Sequence, residues 1–210
     1  LTDEQKTAEG LPYADPVLNV VSCTRIGKTS GEDLGGAFGG GLGSGAVMYG
    51  NPTVNINMIP GKYAERIDRD GRPGADNNVN ALGTITNVYG GGKEANVEGS
   101  TAVNINTVEK KAHRTNMGAE IPVSDREEKD VLPAIITNNV FGAGKGLESD
   151  VTSALVTGNT KITMAGGSVA KSVYGGGQLS QVGGDNYITI SGGTIGKDRE
   201  ETATPGTYND

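Results

Sequence analysis

Two stretches of the chain approach the spacing of a phosphate-binding loop. Gly27-Lys28-Thr29 follows the strand-like run Val17-Leu18-Asn19-Val20-Val21, but Ser22 stands where that motif requires its first Gly. A phosphate loop must open a helix, and Ser30-Gly31-Glu32-Asp33-Leu34-Gly35-Gly36 is a poor one. Gly142-Ala143-Gly144-Lys145-Gly146 fails at its last position, where Ser or Thr belongs. Both are read as corners or loops. Asp68, Asp70 and Asp76, with Asn77 and Asn78, offer oxygen donors at spacings a calcium loop can use. The further acidic positions and terminal Glu of an EF-hand are missing, and Arg66, Arg69 and Arg72 oppose a cation. A solvated turn is the preferred reading; if calcium binds, these three Asp are the candidates, and no other cofactor is expected. His113 is the only His, so it cannot build a metal site alone. Cys23 would be a nucleophile only with His113 as its base. A small buried thiol near a capping strand is the simpler reading.

The elements that would position such residues are dominated by glycine. The chain has 35 Gly in 210 residues, far above the usual share of about 7%. There are seven Tyr, two Phe and no Trp. A formal net charge of -7 without a basic cluster argues against nucleic acid as a partner. No run of about 18 apolar residues is present, so a membrane-spanning helix is not expected. One Cys excludes a disulfide framework within the chain and a Cys-based zinc site. The Gly residues cluster rather than recurring at every third position, which excludes collagen.

That clustering is an internal repeat. Ala37-Phe38-Gly39-Gly40-Gly41, Val88-Tyr89-Gly90-Gly91-Gly92, Val140-Phe141-Gly142-Ala143-Gly144 and Val173-Tyr174-Gly175-Gly176-Gly177 share one pattern. Each precedes an alternating stretch: Thr53-Val54-Asn55-Ile56-Asn57-Met58, Thr101-Ala102-Val103-Asn104-Ile105-Asn106, Thr160-Lys161-Ile162-Thr163-Met164 and Tyr187-Ile188-Thr189-Ile190. The aromatics stand 51, 52 and 33 residues apart (38 to 89, 89 to 141, 141 to 174). If the shortest interval is the bare unit, the longer two carry insertions. Charge locates these near 59–82 and 107–133, because the repeat bodies are almost uncharged. Such excursions are loops leaving a stacked body.

The apolar period within a repeat is two. Val54, Ile56 and Met58 lie on one face, while Thr53, Asn55 and Asn57 lie on the other. Val103, Ile105, Ile162 and Ile188 occupy equivalent inward positions. Gly pairs supply corners where φ can be positive. Only 2–9 and 124–131 have helix-forming composition, and both are short, so the chain is essentially all-β. A unit of this size cannot bury its apolar face alone, so units must stack. The preferred architecture is a right-handed parallel β-helix, a solenoid of about four coils with two charged loop insertions. A β-sandwich is the alternative, but it gives no reason for the repeated Val-Asn-Ile-Asn tetrapeptide.

The Val-Tyr-Gly-Gly-Gly motif, with its Thr-x-x-Ile-Gly-type turn and Thr-Ile-Thr or Val-Asn-Ile strands, resembles Gly-rich repeat segments of large bacterial surface proteins. Such proteins are commonly labelled adhesin-like and are abundant in gut bacteria. The resemblance covers most of residues 34–197 and transfers no catalytic or ligand residue. It implies an extracellular or cell-surface location and a structural or adhesive role. The two charged insertions depart from a regular rod.

Three organisational expectations follow. Residues 1–33 form a lead-in strand and cap, 34–197 the repeats, and 198–210 a polar tail or the start of another insertion. The first residue is Leu1 and no apolar signal segment is visible, which suits a removed precursor signal or a domain cut from a longer chain. Gly192-Gly193-Thr194-Ile195-Gly196 parallels Gly166-Gly167-Ser168-Val169-Ala170 but no aromatic-Gly motif follows it, so a longer native array is expected in preference to a capping tail. Insertions 59–82 and 107–133 leave one side of the stack and form the best contact surface for a host protein or glycan. End-to-end or further-repeat contacts are a second kind of partner. The rival function is a carbohydrate-active β-helix enzyme, a polysaccharide lyase or hydrolase. A glycoside hydrolase needs facing carboxylates about 5 to 9.5 Å apart. Here the strands offer Thr, Asn, Lys and Ser outward, and no catalytic residue is assigned. Phe38, Tyr89, Phe141 and Tyr174 are expected to stack in one column at a corner of the repeats instead of forming a sugar ladder. Thr84-Ile85-Thr86 is too little for an ice-binding array.

Overall fold

The structure is a computed structural model that describes residues 13–20, 23–57, 83–107, 115–116, 119–120 and 133–196. The described residues are all-β, with no helix among them and several parallel sheets. Alternation of β-branched and small polar residues makes the longest strands, because one face can be buried while the other stays wet. Val17–Val20, Thr53–Ile56, Thr101–Ile105, Thr160–Met164 and Asn186–Ile190 form a five-stranded sheet in chain order. Each strand pairs in parallel with its predecessor and its successor, without slippage. The register therefore places like over like. Leu18, Val54, Val103, Ile162 and Ile188 form one row, and Val20, Ile56, Ile105, Met164 and Ile190 form the next inward row.

Two more parallel sheets repeat the scheme. Arg25–Ile26, Thr84–Ile85, Ile135–Ile136, Ser168–Val169 and Thr194–Ile195 compose one. Ala37–Phe38, Val88–Tyr89, Val140–Phe141 and Val173–Tyr174 compose the other. Met48–Tyr49 pairs with Val97–Glu98, and single bridges carry that row on to Val156 and Val182. One continuous apolar cluster joins the inward residues of the first three sheets, including Val54, Ile85, Val88, Ile105, Ile136, Val140 and Ile162. A smaller one gathers Val97, Ala143 and Val156. Each fully buried Ile or Val in these rows is worth about 1.5–3 kcal/mol over leaving it in water.

Four aromatic motifs predict about four repeats, preceded by a lead-in strand over Val17-Leu18-Asn19-Val20-Val21 that caps the first of them. The long sheet has five strands, because Val17–Val20 takes the register of every later strand. Asn57, expected on the wet face, is 8% exposed and accepts a hydrogen bond from the Thr107 amide at 3.1 Å. It sits where the strand ends and the chain turns, so alternation no longer governs it. Met58 lies outside the described residues.

The repeats differ mainly in the link between the first two sheets. Residues 165–167 and 191–193 suffice in the last two repeats, whereas 57–83 and 106–134 stand in that place in the second and third. Insertion 59–82 lies wholly outside the described residues, and so does 107–133 apart from residues 107 and 133 and a two-residue antiparallel pairing of Thr115–Asn116 with Ala119–Glu120. Their departure points are adjacent: the Asn106 amide donates to the Ile56 carbonyl at 2.9 Å.

Glycine is required after each aromatic by close approach. A Cβ on Gly39 would meet the Gly90 carbonyl oxygen, one on Gly90 the Gly142 oxygen, and one on Gly142 the Gly175 oxygen. These are backbone atoms and cannot swing away. Gly90→Ala should therefore destabilise the protein by about 1–3 kcal/mol, the usual cost of overpacking. Gly45→Ala, where an added Cβ meets nothing within 4 Å, is expected to be near neutral. Denaturation midpoints of the two variants provide the check.

Candidate functional site

The most concentrated chemistry among the described residues lies beside the aromatic column. Ring centroids are 4.4 Å apart for Phe38 and Tyr89, and 5.0 Å apart for Tyr89–Phe141 and for Phe141–Tyr174. Interplanar angles are 5°, 5° and 11°, so the rings lie face to face. Parallel pairing of the short strands enforces this, since Phe38 pairs with Tyr89, Tyr89 with Phe141, and Phe141 with Tyr174. The main apolar cluster contains Val88 and Val140 but neither Tyr89 nor Phe141. Alternation along a strand directs the rings to its other face. Tyr89 is 1% exposed, whereas Tyr174 at the end of the column is 48% exposed. Interior rings have both faces occupied by neighbouring rings, so they offer no sugar-stacking surface.

Four residues after each aromatic the chain places Leu42, Lys93, Lys145 and Gln178, which form a row of single bridges. Stacked ammonium groups would repel at this spacing. Asp33 resolves the conflict from the loop of the first repeat: its Oδ2 lies 2.6 Å from Lys93 Nζ and its Oδ1 2.8 Å from Lys145 Nζ. Above the same column, the Tyr89 hydroxyl donates to Gln178 Oε1 at 2.6 Å. The Asp33 loop is pinned to the second repeat. Thr86 Oγ1 donates to the Lys28 carbonyl at 3.1 Å, and Asn87 Nδ2 donates to the Gly35 carbonyl at 3.0 Å. Gly27 takes φ +94° in this loop, and its missing side chain makes room for Thr86. Its role in Gly27-Lys28-Thr29 is therefore that of a corner, and no helix follows it.

The charges fix their own states. Hydrogen bonds from Lys145 and then Lys93 hold the Asp33 carboxyl well below the usual carboxylate range. Asp33 in turn raises the Lys93 ammonium. Burial first, and the Asp33 charge second, push the Tyr89 hydroxyl up to about 12, so it remains a donor at neutral pH. An Asp so firmly ionised is a poor general acid. Lys145, in the Gly142–Gly146 stretch, is engaged with a carboxylate.

Other polar rows hold the strands in phase. Asn55 Nδ2 donates to Asn19 Oδ1 and Asn104 Nδ2 to Asn55 Oδ1, each at 2.9 Å. Asn87 Oδ1 accepts from Asn138 Nδ2 at 3.0 Å and from the Asn139 amide at 3.2 Å. Thr101 and Thr160 donate to the Gly142 and Gly175 carbonyls at 2.5 and 2.6 Å, tying the long sheet to the aromatic one. Thr86, the second Thr of Thr84-Ile85-Thr86, is buried and engaged with the loop.

Cys23 is half-buried, and burial raises its thiol, which lies 3.9 Å from the Thr84 carbonyl. That environment suppresses the thiolate a nucleophile needs. No group of three or more His, Cys, Asp and Glu among the described residues is placed to hold a metal ion. Asp68, Asp70, Asp76 and His113 lie outside the described residues. No described helix is long and apolar enough to cross a membrane. The Asp33–Lys93–Lys145 clasp escaped the sequence reading, although the fourth place after each aromatic marks its lysines. Nothing local points from them to Asp33. Comparison with models of protein families, with curated proteins and with solved structures finds no match to this chain.

Two titrations test this cluster. A carboxyl lowered by folding contributes stability above its unfolded value near 4 and loses it as pH falls further. Asp33→Asn should therefore lose less stability than the parent between about pH 5 and pH 2, as measured by thermal midpoints. Tyr89 has the opposite sign: a hydroxyl raised by folding contributes stability below about pH 10, lost as pH rises toward the folded value. A tyrosinate absorbance step near pH 12 should be present in the parent and absent from Tyr89→Phe.

Proposed function

We propose that the repeats form a parallel β-helix, right-handed by the general preference of parallel crossovers, within a bacterial cell-surface protein of adhesin-like type. Its role is structural presentation: the stack holds two insertions outward, and these meet a host protein or glycan. The single observation that carries this reading is the common origin of the insertions. Residues 57–83 and 106–134 leave adjacent strands of one sheet, at a point where two other repeats need only three-residue corners, 165–167 and 191–193. Segments that start from adjacent strands of one scaffold are placed to serve one contact surface.

The described side chains also favour a scaffold. Asn side chains bond along their row, Thr101 and Thr160 donate to Gly carbonyls, the rings cover one another, and Asp33 is neutralised by two lysines. A carbohydrate-active enzyme is the competing function. Array binding to immobilised glycans and host-matrix proteins decides, run beside a polysaccharide digestion assay. Retained binding that is lost when 59–82 is replaced by a three-residue corner is the expected result. Release of new reducing ends or unsaturated products by the intact chain would instead establish the enzyme.

A further inference from the structure

One corner of the stack carries more chain than a corner needs. Between the second sheet and the aromatic sheet, residues 86–87, 137–139 and 170–172 suffice in the later repeats, whereas 27–36 stand there in the first. The neck of this longer loop is fastened to the second repeat. The Thr86 hydroxyl donates to the Lys28 carbonyl and the Asn87 side-chain amide to the Gly35 carbonyl. The Lys28 amide then closes the neck on the Leu34 carbonyl at 2.7 Å. Beyond the neck the loop rests on Asp33. Thr29, Ser30, Gly31 and Glu32 are exposed and make no hydrogen bond among the described residues. Gly27 and Gly35 take φ +94° and +67°, so a left-handed glycine stands at each end.

We propose that residues 28–34 form a strap latched by the Asp33 carboxylate, and that rising ionic strength opens it while the sheets stay intact. The latch is built from charge that salt can reach. The side chains of Asp33, Lys93 and Lys145 are 44%, 28% and 20% exposed. Ion pairs this open to solvent are weak, and they fade as the Debye length falls from roughly 30 Å at 0.01 M salt to about 3 Å at 1 M. The ladders beneath are neutral backbone bonds between strands whose inward side chains are buried, so the same salt leaves them in place. Acid does not work the latch in its place, because the two lysines hold the Asp33 carboxyl well below the usual carboxylate range. Glu94 reinforces the Lys93 charge through its field without forming an ion pair with it. Opening has two effects. It uncovers Lys93 and Lys145, and it unties the first repeat from the third, to which Asp33 is bonded across the second.

The test labels lysines of the whole chain with an amine-acylating reagent, read site by site by mass spectrometry. Lys93 and Lys145 should label several-fold faster at about 1 M than at about 0.01 M NaCl, while the exposed Lys161 and Lys171 keep their rates. Asp33→Asn should label fast at both salts with an unchanged circular dichroism spectrum. Movement of the strap itself is read from a nitroxide at Ser30→Cys in a Cys23→Ser background. It should gain mobility over the same salt range, and one at Thr163→Cys in the long sheet should not. A Ser30→Cys nitroxide unmoved by salt, labelling of Lys93 and Lys145 that does not respond to salt or to Asp33→Asn, or opening accompanied by loss of the β-sheet spectrum would each overturn the proposal.

Discussion

In-register parallel pairing lifts each repeat about 4.8 Å above the last, and every other feature of the molecule answers to that spacing. A side chain at one position must tolerate its own equivalent directly above and below. Branched aliphatics do so by close packing, which gives the Val54–Val103–Ile162 row its complete burial. Aromatics do so by stacking face to face, at 4.4–5.0 Å. Asparagines do so by passing one amide hydrogen bond along the row, as Asn104 to Asn55 to Asn19. Lysines alone cannot, which is why Lys93 and Lys145 need the Asp33 carboxylate between them.

The same spacing explains the glycines. Where the strand bearing each aromatic turns the corner, the carbonyl of the next repeat lies where a Cβ would project, at Gly39, Gly90 and Gly142. Gly45, by contrast, meets nothing, because it lies in a turn that no neighbouring repeat overlies. High glycine content here is the mark of close backbone approach and not of loose chain.

Much of this was legible in the residues, because the repeat is written in side chains that act through their own copies. Alternation identified the inward rows at Val54, Ile56, Val103, Ile105 and Ile162, and recurrence identified the aromatic column. Three kinds of feature were not legible. Val17–Val20 lies before the first aromatic motif and reads as a lead-in strand capping the first repeat, but only the pairing register shows that it continues the long sheet residue for residue. The Asp33 clasp joins residues 60 and 112 positions apart, and only the fold brings them together. Ile188 shows a third limit: its type marks an inward position, but its 43% exposure depends on what stands above it.

A stack whose units touch only their immediate neighbours behaves as a one-dimensional chain that can fray from an end, one unit at a time. Two bonds here reach further. Asp33, from the first repeat, binds Lys145 of the third, and Tyr89 of the second repeat bonds Gln178 of the fourth. Each passes over the unit between. Second-neighbour coupling of this kind penalises the partly melted states that a simple linear array would populate, because losing one terminal unit also strips a partner from the unit two places in. The clasp beside the aromatic column therefore ties together units that the sheet ladders alone leave unconnected.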